Sequence, residues 1–164
     1  MAAVESALAT CRVRHRQVMF GSAMATKSDF TEPEWEGLQK GITGSGMLAS
    51  VSDRDLTDSF GEAGAMAKYL AGQQVAGSSD FIREVAKARG TGFGLTTSPD
   101  RVRDETMEAL RSSIATLQAK APTEVEPYRQ LVLGLAQAVA DAKGGELPVE
   151  TAVIEQIREA LGTG

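Results

Sequence analysis

The side chains best placed for chemistry are carboxylates in two short polar turns. Asp53, Asp55 and Asp58 cluster in and just after Ser50-Val-Ser-Asp-Arg-Asp. Asp141, Glu146 and Glu150 flank Gly144-Gly145. Oxygen donors of this kind suit a hard divalent cation, Ca²⁺ or Mg²⁺. The first cluster is not an EF-hand loop. Its sixth position from Asp53 is Asp58, where glycine is needed, and its twelfth is Gly64, where glutamate is needed. Lys143 stands inside the second cluster and opposes a cation. Both clusters also lie where helices begin, and carboxylates favour the positive end of a helix dipole without any metal. Ligation and capping are both open readings for these residues.

The other constellations are poorer. Cys11 is the one cysteine and His15 the one histidine. They stand at i, i+4 and could share a helix face, but no third orienting group accompanies them. Neither a Cys–His site, a Ser–His–Asp triad nor a Cys/His zinc site follows from this inventory. Gly90-Thr-Gly-Phe-Gly lacks the last glycine of a dinucleotide fingerprint, and neither a preceding strand nor a Walker lysine accompanies it. It reads as an interhelix loop whose glycines supply positive φ. An enzyme working with carboxylates alone would need two of them converging in a concave apolar pocket. The expectation is a protein that is not an enzyme.

These residues must be held by a fold that the composition allows. The chain has 164 residues, 42% of them hydrophobic and 24% charged. That is ordinary for one globular domain, large enough to fold without disulfides. The net charge of −5 argues against nucleic acid as a partner. No run approaches the roughly 18 apolar residues of a membrane span. Residues 1–24 are set apart: Arg12, Arg14 and Arg16 against Glu5 give them +2, and the remainder carries −7. They read as an N-terminal arm, loosely ordered or docked as an extra helix, on a cytoplasmic protein.

From residue 31 the apolar spacing is helical. Thr31-Glu-Pro-Glu opens a helix through Trp35, Leu38 and Ile42, in the manner of a capping residue, early acids and a first-turn proline. Gly37, Gly41, Gly44 and Gly46 fall roughly on one side of it and would admit a close helix, from this chain or from another subunit. A second helix is expected from Ser52 or Asp53 to Gly72, buried along Leu56, Phe60, Ala63, Ala67 and Leu70. A shorter one follows Ser78 or Ser79 through Phe81, Ile82, Val85 and Ala88. Ser98-Pro99 opens a long helix with Val102, Thr106, Leu110, Ile114 and Leu117 inward, stopped by Pro122. Tyr128, Leu131, Leu135 and Val139 line the next, and the last opens at Pro148 and carries Val149, Val153, Ile154, Ile157 and Leu161. Trp35, Phe60, Phe81 and Tyr128 are spaced as core residues.

No segment alternates as a strand does. The fold class expected is all-α, a compact bundle of six or seven helices. An offset of 93 aligns Trp35 with Tyr128, Leu38 with Leu131, Ile42 with Leu135, Leu56 with Val149 and Phe60 with Val153. The bundle is therefore expected to hold a pseudo-two-fold repeat of helical hairpins, bridged by residues 73–121.

This duplicated hairpin with acidic turns resembles the TerB-like, tellurite-resistance family over residues 30–162. The best-matching stretch is Leu135-Ala-Gln-Ala-Val-Ala-Asp-Ala-Lys-Gly-Gly-Glu-Leu-Pro-Val-Glu150, followed by a helix ending Leu161-Gly162. Gly144 or Gly145 stands for the family's turn glycine, Leu147 for its hydrophobic residue and Glu150 for its glutamate. Met47-Leu-Ala-Ser-Val-Ser-Asp-Arg-Asp-Leu56 looks like a weaker copy. Lys143 replaces the aspartate before the glycine, and the first copy lacks the glycine. The resemblance implies divalent-metal sites that are weakened here, with Asp53, Asp55, Asp141, Glu146 and Glu150 as the remaining ligands. It implies a non-enzymatic binding or scaffold module of a stress-response system, acting through a protein partner or self-association. The alternative is a structural or oligomeric helical protein with no small ligand.

Overall fold

The computed structural model describes residues 25–51, 59–90, 92–93, 98–142 and 148–162, with side chains left undescribed at 51, 59–62 and 148–150. Among the described residues the fold is all-α: six helices, two short 3₁₀ turns and no strand. The helices are α1 (Glu32–Val51), α2 (Ser59–Ala76), α3 (Asp80–Val85), α4 (Pro99–Lys120), α5 (Val125–Ala142) and α6 (Pro148–Ala160). The 3₁₀ turns are Lys27–Asp29 and Pro122–Glu124.

Local chemistry sets the ends. The Thr31 N–H and hydroxyl both donate to Glu34, at 2.7 and 2.9 Å, so Thr31 and Glu34 close the start of α1 upon each other. The Ser79 hydroxyl accepts from the Ile82 N–H at 3.2 Å and starts α3. Ser98 caps α4 in the same way, with Pro99 at the first helical position. At the far end of α4, Ala121 leaves helical backbone and Pro122 follows it. Past α6, Gly162 takes φ +69°, and its N–H returns to the Glu159 carbonyl at 3.0 Å.

α1 is the central helix. It packs most extensively on α4 and α5, and also touches α2, α3 and α6. Leu38 and Ile42 of α1, Leu110 and Leu117 of α4, Tyr128 and Leu135 of α5, and Ile157 of α6 are buried in one continuous core. Full burial of each such side chain contributes about 1.5–3 kcal/mol. Phe30, Trp35 and Phe81 form an aromatic cluster at one end, with ring centres 5.6–5.8 Å apart.

The small residues of α1 explain how close its neighbours come. A methyl group at Gly44 would collide with Thr106 of α4, and one at Gly46 would meet Met66 of α2. Gly41 lies under the Tyr128 hydroxyl of α5. Three of the four glycines therefore serve contacts inside the chain, but they do not share one side as expected: Gly41 and Gly44 face α4 and α5, whereas Gly46, about half a turn around the helix from Gly37, faces Met66 of α2. Gly37 faces open space.

The second helix departs from expectation. It does not end at Gly72; it continues to Ala76, and Gly77 follows it. Nor is its inner face Ala63 and Ala67, which are exposed. Leu70 is buried, and Met66 and Tyr69 pack partly buried against the core. Alanine is compatible with either side of a helix, whereas Met66, Tyr69 and Leu70 carry the area worth burying. Leu56 and Phe60 lie outside the residues whose side chains are described. In α3, Phe81, Ile82 and Val85 are buried as expected, but the helix stops before Ala88.

Candidate functional site

The hairpin of α5 and α6 holds the one expected ligand whose side chain is described. Asp141 is exposed in the last turn of α5, and its carboxylate accepts from the Gln137 amide at 2.8 Å. Glu150 falls in the first turn of α6, at the same end of the hairpin, with its side chain outside the described set. Glu146, Asp53 and Asp55 lie outside the described residues.

Asp141 lines a groove between α5 and α6. Gln137 and Ala140 share its α5 wall, and Thr151, Ile154, Glu155 and Arg158 form its α6 wall. The groove encloses about 70 Å³, enough for an ion or a few waters, since one water needs about 10–15 Å³ measured this way. It is too small for an organic substrate. The two carboxylates of the groove are held differently. Glu155 is paired to Arg158 at 2.5 Å, which compensates its charge. Asp141 is held by the neutral Gln137 amide, which leaves its charge in place. Among the described residues no group of three or more His, Cys, Asp or Glu side chains is gathered as a metal cage.

The α6 wall escapes a reading of the sequence alone. Its signal is the spacing Thr151, Glu155, Arg158, which repeats at i, i+4, i+7 on one side of a helix opposite the apolar Val153 and Ile157. The Gln137–Asp141 pair carries the same i, i+4 signal on α5.

The glycine loop behaves as a loop anchored on the core. Gly90 and Gly92 take φ +76° and +67°, backbone that only glycine adopts freely. Phe93 is buried, and the Lys40 ammonium sits 4.7 Å from its ring centre. Lys40 also pairs with Glu105 of α4 at 2.5 Å, and Arg101 reaches the same carboxylate at 2.6 Å. Lys40, then Arg101, hold the Glu105 carboxyl below its ordinary value. A cleft beside this loop is lined by Glu32, Glu36, Lys40 and Arg89, whose mixed charges select no ligand class.

A buried polar contact lies elsewhere. Glu124 is buried in the turn before α5, and the Ser79 hydroxyl donates to it at 2.7 Å. One hydroxyl thus caps α3 and partners a buried carboxylate. This pair positions helices rather than a ligand.

No helix among the described residues is long and apolar enough to cross a membrane. No family model, curated protein or solved structure matches the chain.

Proposed function

We propose that the chain is a non-enzymatic binding or scaffold module of TerB-like type, serving a cytoplasmic stress-response system. It acts through a protein partner or by self-association. It takes up a divalent cation, Ca²⁺ or Mg²⁺, weakly at its acidic turns, through Asp141, Glu146 and Glu150 at one and Asp53 and Asp55 at the other. The observation that carries this reading is the α5–α6 hairpin. Asp141 lies in the last turn of α5 and Glu150 in the first turn of α6, on either side of residues 143–147, and the Asp141 carboxylate is exposed beside a groove of about 70 Å³.

A pseudo-two-fold repeat belongs to the same proposal. Trp35 and Tyr128, Leu38 and Leu131, and Ile42 and Leu135 are all buried, and α1 packs on α5. The same offset of 93 relates Gly41 to Gly134, and each lies under a tyrosine hydroxyl, Tyr128 above Gly41 and Tyr69 above Gly134.

Isothermal titration with Ca²⁺ and Mg²⁺ tests the cation reading. Alanine at Asp53, Asp55, Asp141, Glu146 and Glu150 together should abolish the binding heat while the far-ultraviolet circular dichroism stays helical. Unchanged affinity in that variant would remove the acidic turns as the site.

A further inference from the structure

We draw no further inference here: the strongest candidate, the outward side of α2, where Ala63, Ala67, Ala71, Gly72 and Val75 stand exposed with Lys68 as the one charge in the stretch 63–76, is a stripe of small residues, and nothing in the structure shows what covers it.

Discussion

The Tyr128 hydroxyl donates to the Leu38 carbonyl at 2.8 Å, a bond that ties α5 to α1 across 90 residues of sequence. Burial holds the phenol well above its ordinary pKa, so it remains a donor across the accessible pH range. The contact needs Gly41. A methyl group there would stand 2.7 Å from the Tyr128 oxygen and 3.1 Å from Leu110.

Tyr128→Phe should cost about 1 kcal/mol, the net worth of a typical buried hydrogen bond. Gly41→Ala should cost about 1–3 kcal/mol by overpacking. The two are coupled, because deleting the hydroxyl removes the atom that the new methyl group strikes. A double-mutant cycle in urea should show Gly41→Ala costing less in the Tyr128→Phe background. Strict additivity would mean that the two helices relax apart independently of this contact.

Ser79 does two jobs, so its loss should be disproportionate for a serine. Ser79→Ala removes the α3 cap and leaves the Glu124 carboxyl without its hydroxyl partner. We expect a loss of about 1–3 kcal/mol. Adding Glu124→Gln should recover part of it, since an amide is easier to bury than an unpartnered carboxylate. A recovery of zero in chemical denaturation would sink the idea that Glu124 depends on Ser79.

Two helical glycines should respond in opposite directions. Gly72 is exposed in α2, and a methyl group added there would have nothing within 4 Å. Gly72→Ala should stabilise by roughly 0.5–1 kcal/mol. Gly134 lies against Tyr69, whose Cζ would stand 2.8 Å from the added methyl group. Gly134→Ala should destabilise by about 1–3 kcal/mol. Thermal melts of the two variants check the pair, and a shift of the same sign in both would contradict the packing described for α2 and α5.

Acid should weaken the closure of Thr31 and Glu34 at the start of α1. The Lys120 ammonium, then the Thr31 N–H and hydroxyl, lower the Glu34 pKa from about 4.5 to about 2. A depressed carboxylate contributes stability that is full above its unfolded value and is lost as pH falls through the folded one. The contribution should therefore fade between about pH 4.5 and about pH 2. Wild type should melt above Glu34→Gln at pH 6, and the gap should narrow across that interval. A gap independent of pH would show that the Glu34 charge is not what matters.

Much of this architecture is legible in the residues because several local rules agree. In α4, Ser98 and Pro99 mark the start, Val102, Thr106, Leu110, Ile114 and Leu117 mark the inner face, and Pro122 marks the stop. The all-α class and the buried Trp35, Phe81 and Tyr128 follow from the same agreement. In α2 the rules conflict. Alanines sit on both sides, and Gly72 resembles a stop although Gly77 is the terminator. Helix geometry alone cannot tell which alanines face inward; the tertiary partners of Met66, Tyr69 and Leu70 decide it. The acidic turns are visible as clusters, but convergence of side chains depends on backbone placement that spacing does not encode. Asp141 illustrates the difference: its groove partners Thr151 and Glu155 come from another helix, 10 and 14 positions further along the chain.

The central claim is that a divalent cation binds the folded chain at the acidic turns. The most direct measurement is a thermal melt of the full chain in EDTA, then with Ca²⁺ or Mg²⁺ added in excess. A ligand that binds only the folded state raises stability by about 2.7 kcal/mol at a hundredfold excess over its dissociation constant. The account predicts an upward shift with one of these cations that disappears when Asp53, Asp55, Asp141, Glu146 and Glu150 are replaced by alanine. No shift with either cation, or the same shift in the substituted chain, would contradict it and leave those carboxylates as helix caps.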